Sequence, residues 1–547
     1  MHNRIKRVAQ MPNIPQPFAM RDWAELARDY DSLVFDLNAA GDFLPLVWLD
    51  HSRKNAGRVT FGLPSYVSPH QVRKDGMQES INCAAALLGA TLVGIDKSSH
   101  RGYNWIEMLE NFYNTENGEL LFLNRADTKT GHSFWYEIYP HVLLYSLLNY
   151  YSGMERLDQI MKKTADRWLE ACVILGGNRI DFDFTAYDFI KKVPVSNGRW
   201  KEPEAAAGIA FILYMAYARW KEEKYLEGAA WCLQYLNQRE TNPYYELLLP
   251  YGAYIAARYN AQHGKAVDVE KIVNWCFDGD SACRPGWGVI AERWGEFDCH
   301  GLCGSLTDWG QRWDCMTANA LPDYDPELSG YAFAGNTFSM AAGLVAMVRY
   351  DASYARDIGK WMLNAANNAR LFYADCHPPK GQSCAFWKSD EKHVIAYEGL
   401  RKKWDLQSPY ATGDAIRYSW GSIDFGLYGS SHVGIFGGIV ARTNEEAILR
   451  LDCIKTDYFN EGAYPTYLYY NPYDSEKLVE MDAGEAKTDI YDAVSHRFMA
   501  RGVTGRIKVP VGPDSAVVAV HAAAGGVLSR QEGKLLVNGI PIDYHAD

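Results

Sequence analysis

The sequence predicts a mainly α protein in which six helical hairpins close into a ring, followed by a C-terminal antiparallel β-sandwich. Two observations carry that prediction. Aromatic and acidic turns open repeatedly into helices of small and apolar residues, and amphipathic helices alternate with these; after about Glu446 the apolar period changes to two. A helix apolar on all sides is buried and one with a single apolar stripe lies outside it, so the alternation describes an inner layer ringed by an outer one.

The openings are Ser133-Phe-Trp-Tyr-Glu-Ile-Tyr-Pro140, Trp200-Lys-Glu-Pro-Glu-Ala205, Asn242-Pro-Tyr-Tyr-Glu246 and Ser329-Gly-Tyr-Ala-Phe-Ala-Gly-Asn336. Inner helices are expected near 77–93, 134–150, 203–219, 244–260, 334–348 and 431–441. Outer partners are expected near 20–38, 103–115, 155–174, 222–238, 266–277 and 353–370. The stretch Met154–Glu170 shows the outer pattern, with apolar residues three and four apart and charges between them. Long insertions fall at about 39–76, 175–202, 278–333 and 371–430. Compact domains rarely keep structureless loops beyond about 12–15 residues unless these serve a function, so the four are expected to build a site over the mouth of the ring or to hide short strands. Ala447–Cys453, Tyr464–Tyr470, Arg506–Pro510, Ser515–His521 and Lys534–Gly539 read as strands between Gly, Pro and Asp turns. The expected domains are therefore 1–445 and 446–547.

The net charge of −12 and a pI near 5.7 argue against nucleic acid or an anionic membrane as partner, because both demand a basic surface. No stretch reaches the roughly 18 apolar residues that span a bilayer, and the first residues lack the apolar core of a signal peptide, so a cytoplasmic location is expected. Eleven scattered cysteines fit reduced thiols better than a disulfide framework. Cys299, His300, Cys303 and Cys315 lack the paired spacing of structural zinc, and no Gly-Lys-Ser/Thr follows Gly301 and Gly304; neither metal nor cofactor is expected.

Hairpin alternation together with the aromatic and acidic openings resembles the (α/α)6-toroid carbohydrate-active enzymes, a superfamily of glycoside hydrolases, polysaccharide lyases and sugar epimerases. The resemblance covers about 20–441 for the toroid and 446–547 for the sheet. It implies an oligosaccharide or glycoside substrate, and no catalytic position is carried over from it. Of the reactions it allows, glycoside hydrolysis is the leading expectation, and it needs two carboxyl groups flanking the sugar.

Glu202 is the first candidate. Pro203 suits a first helical position, which makes Glu202 either a simple helix cap or a carboxylate held at the mouth. The loop Arg284–Asp308 holds Glu292, Asp298, His300 and Asp308 among Trp287, Trp294 and glycines, a density of ionisable groups that mere cover would not need. Asp183, in Ile180–Phe189, either lines the cleft beside Glu202 or lies on a solvated edge. Catalysis is assigned to Glu202 with Asp298, Glu292, Asp183 or His300. Sugar contacts are assigned to Trp135, Tyr136, Glu137, Trp200, Tyr245, Trp287, Trp294, Asp308, Tyr331 and Asn336. A lyase acting on uronic acids would instead draw on Arg284, Arg293, Arg312, Tyr331 and His300, an epimerase on His300 and His432, and a glycan-binding protein would use the same surfaces without chemistry.

Overall fold

The computed structural model describes residues 4–67, 75–305, 330–417, 419, 421–460 and 462–546. Outer and inner helices alternate along the chain, each outer helix followed by an inner one. They are α1 (Trp23–Val34) with α2 (Ser80–Leu92), α3 (Trp105–Met108) with α4 (Phe134–Leu148), and α5 (Glu155–Ile174) with α6 (Ala205–Trp220). Next come α7 (Glu223–Gln238) with α8 (Leu249–His263) and α9 (Val269–Phe277) with α10 (Ala334–Met347). The last outer helix, α11 (Ala355–Asn368), is followed by the single turns α12 (Asp414–Arg417) and α13 (Leu427–Ser430) and by the last inner helix, α14 (Val433–Ile439).

The inner helices close on themselves: α2 packs on α4, α4 on α6, α6 on α8, α8 on α10, α10 on α14 and α14 back on α2. Their composition explains the closure. Small residues let the helix axes approach where a β-carbon would collide: one built on Gly434 would lie 2.1 Å from the Cα of Gly89, and one on Gly343 would lie 2.5 Å from the carbonyl oxygen of Pro250. In α10 every residue except Gly335 is buried, as a fully enclosed helix requires. Outer helices carry the stripe instead; α1, for example, buries Trp23, Leu26, Ala27, Tyr30, Asp31 and Val34 against α14 and α2.

The insertions do hide strands. A five-stranded antiparallel sheet runs in the order Tyr410–Thr412, Gly399–Arg401, Tyr331–Phe333, Cys303–Ser305, Trp287–Val289, built from the last two insertions. At the C-terminal end a six-stranded antiparallel sheet opens with Val440–Arg442 and is ordered Val440–Arg442, Leu449–Asp452, Thr466–Asn471, Ser515–Ala523, Thr488–Asp492, Arg497–Val503. One face lies on α11, and Tyr470 sits against Gly359 of that helix. The other face packs Ile448, Tyr469, Ile490, Val517 and Ala519 under a two-stranded antiparallel sheet, Lys477–Asp482 with Arg506–Val511, which contributes Val479, Met481, Val509 and Val511. The two layers form the sandwich.

A buried ion cluster ties sandwich to ring. Asp457 accepts from Arg349 Nη1 at 2.8 Å, from Tyr254 Oη at 2.6 Å and from Arg258 Nη1 at 3.4 Å, and Arg258 also donates to the carbonyls of Tyr458 and Phe459. No described helix is long and apolar enough to cross a membrane. Every described cysteine is a free thiol; Cys315 lies outside the described residues.

Candidate active site

All inner-helix N-termini point toward one end of the ring, and there a cavity of about 450 Å³ opens. Its wall takes residues from the starts of α2, α4, α8 and α10, and each of the four insertions adds to it: Tyr66 from the first, Trp200 from the second, Arg284 from the third, Glu398 and Asp414 from the fourth. Trp135, Tyr136, Trp200 and Tyr245 bring aromatic rings to it, and Glu79, Glu246, Glu398 and Asp414 bring carboxyl groups.

Two of those carboxyl groups are both raised by burial but differ in their neighbours. Glu398 is pushed up to about 8 by burial and then by the negative charge of Asp414, whose backbone N–H it accepts at 2.6 Å. Asp414 is tied in turn to Arg401 at 2.6 Å. The negative charge of Asp414 and the burial both favour the protonated form of Glu398. Glu79 is also raised by burial, but it stands at the N-terminus of α2 and is bonded by Ser65 Oγ, Asn124 Nδ2 and Tyr428 Oη, and these bonds favour its ionised form. Consecutive residues link the pair: Ser65 donates to Glu79 while Tyr66 bonds Glu398.

A third carboxylate, Glu246, is raised by burial against the charge of Arg284, with which it is ion-paired. His432 lines the same cavity. Its Nδ1–H donates to the carbonyl of Tyr428 at 2.9 Å, burial holds it down at about 4, and its Nε2 has no hydrogen-bond partner.

Of the residues singled out in the sequence, Trp135, Tyr136, Trp200, Tyr245 and Asn336 line the cavity. Glu202 stands behind the wall. It is 1% exposed, and its carboxylate accepts from Ser133 Oγ at 2.9 Å, Trp135 N at 2.8 Å and Trp200 Nε1 at 2.9 Å, so it fixes three wall residues. The helix behind it starts at Ala205 rather than Pro203, and Glu202 reaches sideways to cap α4. Glu204 does the same for α8, accepting from the backbone of Glu246, Leu248 and Leu249. Glu137 is likewise turned to backbone, accepting from Gly131, His132 and Tyr187, and burial pushes it up to about 8.

The remaining candidates do not line this cavity. Asp298 is bonded by His300 Nδ1 at 2.7 Å and Asn368 Nδ2 at 3.1 Å; burial raises it, but His300 outweighs burial and holds it below the usual carboxylate range. Glu292 pairs with Lys402 at 3.0 Å and accepts from Trp294 Nε1. Asp183 is held by Arg239 at 2.7 Å and by Tyr235. Trp287 donates to the carbonyl of Glu246 and carries Arg284 on its ring, and Tyr331 is buried beneath the Arg401 guanidinium 4.0 Å from its centroid. Asp308 lies outside the described residues.

Glu79, Glu398, Asp414 and Tyr66 were not singled out from the sequence. Two signals pointed to them: Glu79 precedes an inner helix as Glu202 does, and Glu398 and Asp414 flank the short paired strands Gly399–Arg401 and Tyr410–Thr412. Among the described residues no group of three or more His, Cys, Asp or Glu is placed to hold a metal ion.

No protein-family model matches the chain, and no curated protein matches it. Among solved structures it is similar to a D-mannose isomerase (10% identity, 75% of this chain, 95% of that one, TM-score 0.38). It is also similar to an unsaturated glucuronyl hydrolase from Streptococcus agalactiae (10% identity, 80% and 95%, TM-score 0.37). A third is a GH127 β-L-arabinofuranosidase from Geobacillus stearothermophilus T6 (12% identity, 96% and 85%, TM-score 0.34). TM-scores this low leave the functional reading to the cavity's own residues.

Proposed function

We propose that the protein is a glycoside hydrolase whose catalytic carboxyls are Glu398 and Glu79. The observation that carries this is the placing of two carboxyls on a single cavity, bonded by the adjacent residues Tyr66 and Ser65, with a neighbouring acid, Asp414, favouring the proton on Glu398 and hydrogen bonds favouring the charge on Glu79. Such a difference in neighbours suits one carboxyl to the acid role and the other to the base role. Glu398 gives its proton to the glycosidic oxygen as the C1–O bond breaks. Glu79 removes a proton from the water that attacks C1, or attacks C1 itself; the anomer of the first-formed product distinguishes the two. Trp135, Tyr136, Trp200 and Tyr245 offer flat faces on which sugar rings stack. Glu202 on this reading is a positioning residue for that wall. The catalytic unit is the ring, 1–445, with 446–547 as a structural appendage, and the free thiols fit action in the cytoplasm on an oligosaccharide or glycoside.

Incubation with a panel of neutral and uronic oligosaccharides, read for new reducing ends and for near-ultraviolet absorbance, tests the reading. Hydrolysis without unsaturated product supports it, provided Glu398→Gln and Glu79→Gln each lower kcat by 10³ or more, roughly the loss expected when an acid or base is removed. Unsaturated product would mean a lyase instead. A second reading, sugar isomerisation, is favoured by the unpartnered Nε2 of His432, and conversion between intact monosaccharides would establish it.

A further inference from the structure

The charge on the cavity wall is lopsided. Glu79, Glu246 and Asp414 bring carboxylates to it beside the Glu398 carboxyl, and among the described lining residues the one guanidinium is that of Arg284. Arg401, behind the wall, is 1% exposed and engaged with Asp414.

Arg284 is itself held down. Its guanidinium lies 3.6 Å from the centroid of Trp287, and its Nη1 donates to the Glu246 carboxylate and to the carbonyl of Tyr245 at 3.2 Å. Only 11% of the side chain is exposed, and 19% of that of Glu246. Trp287 also donates its Nε1–H to the backbone carbonyl of Glu246 at 2.8 Å, and Asn336 donates to the same carbonyl at 3.0 Å. The pair is thus clamped on both partners, by an aromatic face under one and by two donors to the backbone of the other. A sugar carboxylate entering the cavity would meet the remaining acids and would have to displace Glu246 to reach the Arg284 guanidinium. A neutral ring needs no such exchange, because carboxylates and amides on the wall accept and donate to hydroxyls.

Resting on the carbohydrate reading above, we infer that the cavity takes uncharged sugars and rejects uronic acids, with Glu246 as the specificity-determining residue that keeps the Arg284 charge from an incoming anion. Removing the Glu246 charge while keeping its shape converts the wall toward anion acceptance.

Binding rather than turnover tests this, through quenching of the intrinsic tryptophan fluorescence to which Trp135 and Trp200 contribute. Three matched pairs serve as probes: methyl glucoside and methyl glucuronide, methyl galactoside and methyl galacturonide, methyl mannoside and methyl mannuronide. The wild-type protein is expected to bind the neutral member of at least one pair and its uronide at least about 30-fold more weakly, since one like-charge neighbour in a partly desolvated site is worth 1–3 kcal/mol. Glu246→Gln is expected to raise the ratio of uronide to neutral-sugar affinity about tenfold or more, and Glu246→Gln/Arg284→Met to lose that gain. Wild-type protein that binds a uronide as tightly as its neutral partner overturns charge selection. Selectivity unchanged in a folded Glu246→Gln protein overturns the role of Glu246. Absence of binding by every probe overturns the sugar-site reading itself and so is distinct from both.

Discussion

Replacing Glu202 by Gln should reverse the sign of its stability effect between acid and alkaline pH. In the folded protein burial pushes Glu202 up to about 8, against the bonds from Trp135, Trp200 and Ser133. In the unfolded chain a Glu titrates near 4.3, so the folded state holds its proton more tightly than the unfolded state does. The stability tied to the protonated group is fully present below about 4.3 and is lost as pH rises through about 8. At about 1.4 kcal/mol per pH unit, the wild-type protein loses about 5 kcal/mol over that window from this one group. Gln carries no charge and escapes the loss, but two of the donors that face it, Trp135 N–H and Trp200 Nε1–H, can only donate. A single amide oxygen cannot serve both as two carboxyl oxygens do, and one N–H left short costs about 2 kcal/mol. Glu202→Gln should therefore melt below wild type at pH 5, cross it near pH 6, and melt above it at pH 9. Thermal melting followed by circular dichroism at the three values reads the sign directly. A difference that keeps one sign across the range would mean that Glu202 is ionised throughout in the folded state. Kinetics supply the second check: turnover falling less than tenfold with a raised KM fits a residue that positions Ser133, Trp135 and Trp200, whereas a loss of 10³ in kcat at unchanged KM would make Glu202 a proton-transfer group.

Asp457→Ala should destabilise the fold by about 3–5 kcal/mol in denaturant unfolding, because it strands the Arg258 and Arg349 guanidinium groups in the interior. Gly434→Ala should cost about 3 kcal/mol or prevent folding, since the new methyl meets the Cα of Gly89 on α2, backbone that cannot turn aside. The rate of glycoside hydrolysis should fall as pH rises through about 8, because Glu398 must hold a proton to donate it. Asp414→Asn removes the charge that helps raise Glu398 and should shift that alkaline limb to lower pH, as a pH profile of kcat/KM would record.

How far the sequence reached differs between fold and site. Helix positions were legible because burial leaves a local record: α5 was expected at 155–174 and spans Glu155–Ile174, and α10 was expected at 334–348 and spans Ala334–Met347. The openings were legible for the same reason, and Trp135, Trp200 and Tyr245 do reach the cavity. The direction of an individual carboxyl was not. Glu202, Glu204 and Glu137 look alike in sequence to Glu79, each acidic at a helix start, yet three of them turn to neighbouring backbone and the fourth faces the cavity.

The sequence by itself determined the ring, the sandwich and the end of the ring at which polar chemistry gathers, because a period of 3.6 or 2 and a cap are properties of a few consecutive residues. Only the tertiary structure decided which acids share one space. Glu79 and Glu398 lie far apart in the chain yet line one cavity, and the proton affinity of each depends on burial and on neighbours such as Asp414 that the closed fold supplies. Desolvation is set by everything that surrounds a group, and no local pattern encodes it.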